Sequence, residues 1–144
     1  MKIIIWGLGY VGTVSSACFA KLGHEVIGVD PNKNKRSLLK DGKSPIEEPG
    51  LNELIEKAIK SGQFYVTKDG SRYVSKSDCS LICVGTPNNI EGGIELKYLR
   101  QVAIDISKGL KDSKNYHTVI VRSTVFPGVS RNILVNILEK YSGK

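Results

Sequence analysis

The chain has 144 residues, 40% hydrophobic and 24% charged, the balance of one globular domain large enough to bury its own core. Its formal net charge of +7 would suit nucleic acid or an anionic membrane, but no basic run of roughly 5–8 residues occurs; neither partner is expected, and the lysine-rich surface is read as one that draws in phosphate-bearing ligands. No apolar run approaches the ~20 residues of a membrane-spanning helix, and the apolar start, 1–6, is too short for a secretory leader and is cut by Gly7, so a cytoplasmic location is expected.

Residues 3–6 form an unbroken apolar run, as in a strand buried on both faces. A helix is predicted over 10–22, with Val11, Val14 and Cys18 on one face and Gly23 as its stop. A second strand, 25–29, ends at Asp30, and a basic helix follows over 33–40. After a loop with Pro45, Pro49 and Gly50, a helical stripe runs through Leu51, Leu54, Ile55, Ala58 and Ile59. Strands at 64–66 and 79–84 come next, then a loop over 85–94. A helix then carries Leu96, Leu99, Val102, Ala103, Ile106 and Leu110. A fifth strand, 118–121, and a last helix, 131–141, with Leu134, Ile137, Leu138 and Tyr141 aligned, complete the chain. Apolar strands alternating with helices predict an α/β fold: a Rossmann-type doubly wound parallel sheet, one domain over 1–144, strand order 3-2-1-4-5 with flanking helices.

Cys18, Cys79 and Cys83 are an odd number in apolar surroundings, without a companion Cys/His pair. They fit neither a disulfide framework nor zinc, no metal is expected, and all three are predicted to be buried small hydrophobes.

Gly7-Leu8-Gly9-Tyr10-Val11-Gly12 matches G-x-G-x-x-G between a strand and a helix, the context that gives this pattern its meaning. Gly7 permits the tight turn, Gly9 lets backbone N–H groups approach a diphosphate, and Gly12 lets the helix pack closely on the strand. The helix N-terminus adds partial positive charge. Asp30, 18 residues after Gly12, stands where a carboxylate accepts hydrogen bonds from the adenosine ribose, and its charge repels a 2′-phosphate. NAD is therefore the expected cofactor. Lys33, Lys35 and Arg36 lie nearby and would suit a phosphate, which keeps NADP open. The crevice of such a sheet opens beside its first and fourth strands. Two segments end strands there: Gly85-Thr86-Pro87, and Arg122-Ser123-Thr124 followed by a rigid Pro127-Gly128 turn. Their hydroxyls are candidates to face the cofactor, or else turn formers and caps.

Taken together, these blocks resemble the UDP-glucose/GDP-mannose dehydrogenase family over the whole chain. The others that carry the resemblance are 23–30 (GHEVIGVD), 42–51 (GKSPIEEPGL), 83–87 (CVGTP) and 122–125 (RSTV). The wording of GKSPI and VRSTV leans toward the GDP-mannose branch over the UDP-glucose branch. The resemblance implies a nucleotide-sugar 6-dehydrogenase, which oxidises the C6 hydroxymethyl of a nucleotide-linked hexose to a carboxylate with two NAD and a cysteine-bound intermediate. It implies that Tyr10, Val11, Asp30, Lys35, Thr86 and Thr124 contact NAD, with the fingerprint glycines Gly7, Gly9 and Gly12. Thr124 would also help order water near the reacting carbon. The 47–50 loop would lie beside the cofactor, with no role assigned. His24 and His117 match no catalytic position and are expected to serve surface or packing roles.

The family's nucleophilic cysteine, its lysine and its glutamate match nothing before residue 144, and neither do its central helix and substrate domain. Residues 1–144 are therefore expected to bind NAD, to hold no catalytic residue beyond an auxiliary Thr124, and to be inactive alone. Nucleotide sugar would bind through the missing domain of a homodimeric or larger parent. Two other readings stay open. A stand-alone nucleotide-sensing Rossmann regulatory module would need the glycines and the acid but neither threonine segment, and a nucleic-acid binder rests on charge alone.

Overall fold

Chain segments that are apolar on every residue become strands here because helices cover both faces of the sheet. The computed structural model describes residues 1–88 and 93–144. Its strands are β1 (Lys2–Trp6), β2 (Glu25–Val29), β3 (Phe64–Thr67), β4 (Cys79–Ile82) and β5 (Thr118–Val121). All pair in parallel, in the order β3-β2-β1-β4-β5, which is the order expected from the sequence. The helices are α1 (Tyr10–Lys21), α2 (Lys33–Lys40), α3 (Leu51–Lys60), α4 (Ser71–Val74), α5 (Lys97–Leu110) and α6 (Asn136–Ser142).

Successive strand residues point to opposite faces, and the core divides accordingly. Ile3 and Ile5 pack with Ala17, Leu39 and Ile55 from α1, α2 and α3. Ile4 and Trp6 pack with Leu99, Ala103 and Ile106 of α5 and with Leu134. At the edge strand β5 only one face is covered: Val119 and Val121 join the second layer, whereas Ile120 is 43% exposed. Among the described residues no helix is long and apolar enough to cross a membrane, and no group of three His, Cys, Asp or Glu is placed to hold a metal.

Several local expectations are corrected. The packed face of α1 is Gly12, Thr13, Ser16, Ala17 and Ala20, not Val11, Val14 and Cys18. The helix lies so close to the sheet that small side chains, rather than large apolar ones, make the contact. Cys18, one helical step (about 100°) away from Ala17, is exposed; Cys79 is buried and Cys83 half-buried. The fourth strand stops at Ile82, although Cys83 N still donates to Trp6 O at 2.8 Å. α4 was not expected, since four residues are too few to show a helical period. The last helix opens with a π-helical stretch, Ser130–Val135, before α6. That wider turn shifts the stripe, so Leu134 is buried while Tyr141 is 47% exposed. Of the loop expected over 85–94, residues 89–92 lie outside the described residues.

Candidate functional site

At the carboxyl ends of the strands the chain turns sharply from β1 into α1. Gly7 makes that turn at φ +95°, a conformation that glycine reaches without strain. Its N–H donates to Val29 O at 2.8 Å, and a Cβ there would stand 2.9 Å from Cys83 O. The turn is thus wedged between the ends of β2 and β4. Gly12 is tighter still: a Cβ would stand 1.8 Å from Gly7 O. Gly9 differs, because nothing lies within 4 Å of where its Cβ would be. It is also the N-cap of α1 and supplies no side-chain cap. The first N–H groups of a helix lack intrahelical partners, so α1 presents donors and its positive end to open space. The glycine that must be small for packing is Gly12, and the one that leaves room for a ligand is Gly9.

Asp30 joins the pieces. It is 5% exposed, and its Oδ2 accepts from Leu8 N and its Oδ1 from Asn32 N, both at 2.8 Å. Lys35 Nζ stands 3.9 Å from Oδ2. One carboxylate therefore ties the glycine turn to the end of β2 and still has lone pairs for hydroxyl donors. Arg36 is turned away from the solvent that a phosphate would come from: Nη1 donates to Asp30 O and Pro31 O, each at 2.7 Å. That removes one of the three cations that kept NADP open.

Beside the turn lies a cavity of about 550 Å³. Trp6, Gly7, Val29 and Val84 line it from the strand ends, and Lys68 and Asp69 follow β3. Tyr98, Gln101 and Asp105 come from α5. Sequence reasoning missed this far wall. Residues 68–69 stand just past a strand's carboxyl end, the same signal that marked Thr86 and Thr124. The α5 residues read as a solvated helix face, and nothing local distinguishes them.

On the other side of the turn, Tyr10 (57% exposed) and Val11 (40% exposed) flank the mouth. The Tyr10 hydroxyl donates to Glu48 Oε2 at 2.5 Å, bringing the 47–50 loop to the turn. That hydrogen bond, then the carboxylate's charge, raises the phenol above its usual pKa. Thr86 and Thr124 are brought together as well: Thr86 Oγ1 donates to Thr124 O at 2.7 Å. Ser123 Oγ donates to Val84 O at 2.7 Å, pinning the segment after β5 to the segment after β4. The serine hydroxyl thus serves the scaffold, while the Thr124 side chain is left on an exposed residue.

Trp6 connects this end of the sheet to His117. Trp6 Nε1 donates to Ser80 Oγ at 3.0 Å, Ser80 Oγ lies 2.9 Å from His117 Nε2, and His117 Nδ1 lies 2.8 Å from Ser77 O. A carbonyl only accepts, so Nδ1 carries the proton, and Nε2 of the neutral ring accepts from Ser80. Protonating Nε2 would leave the Ser80 O–H with no acceptor. Burial pushes the His117 pKa below its usual 6.5, against the opposing pull of the Ser77 carbonyl and of Asp78. The unfolded chain therefore takes up a proton near pH 6.5 that the folded chain resists. This contribution to stability is complete above pH 6.5 and is lost as pH falls from there through the lower folded value. In urea melts on either side of pH 6.5, the wild-type chain should lose more stability on acidification than His117→Gln. Equal losses would remove His117 from the account.

The three cysteines are ill-suited to nucleophilic work. Burial raises the Cys79 thiol above its usual range and that of Cys83 to about 11, partly offset for Cys83 by Arg122. Cys18 lies two turns beyond Tyr10, about 12 Å along α1.

Comparison with known proteins agrees with this geometry. The pattern of the UDP-glucose/GDP-mannose dehydrogenase family, NAD binding domain, matches residues 1–144. The GDP-mannose 6-dehydrogenase of Pseudomonas syringae pv. syringae is 47% identical over 144 residues, which is 100% of this chain and 33% of that protein. A crystal structure of a ternary complex of GDP-mannose dehydrogenase from Pseudomonas aeruginosa superposes with a TM-score of 0.97 at 44% identity, covering 100% of this chain and 33% of that one. A UDP-glucose dehydrogenase from Pyrobaculum islandicum gives 0.93 at 34% identity, covering 99% and 33%. The chain spans about a third of the length of these relatives. The match runs from the glycine turn to the last helix, and the chain belongs to the UDP-glucose/GDP-mannose dehydrogenase family, as its NAD-binding domain.

Proposed function

We propose that residues 1–144 are the cofactor-holding third of a nucleotide-sugar 6-dehydrogenase, an oxidoreductase that converts the C6 hydroxymethyl of a GDP-mannose- or UDP-glucose-type sugar to a carboxylate. The observation that carries this reading is the open space over Gly9, at the uncapped end of α1 and one residue from the Leu8 N–H that Asp30 holds. A dinucleotide needs that juxtaposition: donors for its diphosphate beside an acceptor for its ribose.

In this assignment Gly7, Gly9, Tyr10, Val11 and Gly12 shape the diphosphate turn. Asp30 accepts from the adenosine ribose, with Lys35 balancing its charge. The adenine enters the cavity beside Trp6 and Val29. Thr86 and Thr124 face the nicotinamide end, where the joined segments after β4 and β5 fix their spacing. Bound NAD supplies a hydride acceptor. The chain's own residues bind and orient it, and Thr124 is the residue placed to order water near the reacting carbon. The GDP-mannose branch is favoured by the higher identities to its members. The sugar nucleotide is bound by residues outside 1–144, in a cytoplasmic homodimer or larger assembly.

Trp6 is the single tryptophan and lines the cavity, so its fluorescence reports on cofactor. Titrating NAD should change Trp6 emission saturably, and adding GDP-mannose or UDP-glucose with NAD should form no NADH, because no cysteine here is poised as nucleophile. Emission indifferent to NAD would sink the binding assignment. Sustained NADH formation would mean that the chemistry lies inside these residues.

A further inference from the structure

The cations of the 33–36 segment pose a question that Asp30 alone does not answer. Lys33, Lys35 and Arg36 crowd the first turn of α2, where the helix dipole disfavours positive charge. In a Rossmann domain an arginine near this position is the usual receiver of a 2′-phosphate. Arg36 is otherwise engaged: a single nitrogen, Nη1, donates to the two successive carbonyls Asp30 O and Pro31 O at 2.7 Å each. These are the peptide groups on either side of Pro31, and fixing both sets the direction in which the chain leaves β2. The same turn aims the Asp30 carboxylate at Leu8 N and Asn32 N and places Pro31 in the wall of the cavity.

We propose that Arg36 is a positioning residue for cofactor selectivity: by clamping the Asp30 and Pro31 carbonyls it holds the ribose-binding carboxylate in place, and it withholds its guanidinium from any 2′-phosphate. The inference rests on the NAD reading above and goes beyond it, since it gives a basic residue beside the ribose site a role in favouring the unphosphorylated cofactor. A charged donor bridging two carbonyls is a strong clamp. Losing it frees the turn without removing a group that touches the ligand.

The test measures Kd for NAD and for NADP by calorimetry on wild type, Arg36→Ala and Arg36→Lys. With the clamp gone, Kd for NAD should rise about tenfold, the worth of one charge-assisted hydrogen bond. Kd for NADP should move less, because Asp30 repels that ligand wherever it points. The NADP-to-NAD ratio of Kd values should therefore fall. Both bonds come from one nitrogen, and a lysine ammonium has three donors, so Arg36→Lys should restore part of the ratio. A ratio that rises in Arg36→Ala would make Arg36 a phosphate receiver, and an unchanged ratio would leave it a purely structural residue; either overturns the inference. Should Arg36→Ala fail to fold, Arg36→Met keeps the aliphatic stem and carries the same expectation. A wild-type chain that binds no NAD would defeat the parent reading instead, so the two failures are distinct.

Discussion

Gly12→Ala should cost the chain both stability and NAD. The added methyl would stand 1.8 Å from Gly7 O and 3.0 Å from Gly7 C, and backbone cannot rotate aside as a side chain can. Overpacking in a dense interior costs about 1–3 kcal/mol, and a clash between two backbones belongs at the upper end. The relief available is for α1 to back away from β1, which carries its N-terminal N–H groups off the Gly7–Gly9 turn. Gly9→Val is the contrasting variant. Its Cβ meets nothing within 4 Å, and its φ of −76° and ψ of −160° are ordinary for valine. That chain should melt as wild type does while its isopropyl group fills the diphosphate space. Thermal melts beside calorimetry separate the two. Undiminished affinity in Gly9→Val would move the diphosphate elsewhere, and a wild-type melting temperature in Gly12→Ala would mean that helix and turn are not in such close contact.

Asp30→Ala should be the most damaging change among side chains that face the ligand. It strips the acceptor from Leu8 N and Asn32 N at once, and each unpaired buried donor costs about 1–3 kcal/mol. It also removes the ribose contacts, each worth roughly tenfold in affinity. NADP should suffer less, since the charge that repelled its extra phosphate goes too, and Lys35 loses its counterion. The expected result is a large loss of NAD affinity, a narrowed NAD-over-NADP preference and a lower melting temperature. An unchanged preference would take Asp30 out of the cofactor site.

The sheet was legible in the chain because strands covered on both faces are apolar on every residue, as in 3–6 and 79–82. The glycine turn and Asp30 were legible because their spacing is imposed by the reach of one strand–helix–strand unit. Where packing is closest, the usual cue inverts. α1 touches the sheet through Gly12, Ser16, Ala17 and Ala20, so Val11 and Cys18, the residues that looked like core, face outward. α4 was too short to show a period, and the π-helical stretch Ser130–Val135 broke the period it did show. The cavity's far wall comes from Lys68, Asp69 and the polar face of α5, segments that meet only through the topology of the sheet. Arg36 was visible as a cation, but only its bonds to two carbonyls reveal that its charge is spent inward.

The bond from Leu8 N to Asp30 reaches beyond affinity. Since one carboxylate braces the phosphate loop from behind while offering itself to the sugar in front, a lineage cannot trade one cofactor for the other by stepping through position 30 alone. Any such walk would first need a new brace for Leu8, so preference here is guarded by foldability as much as by recognition.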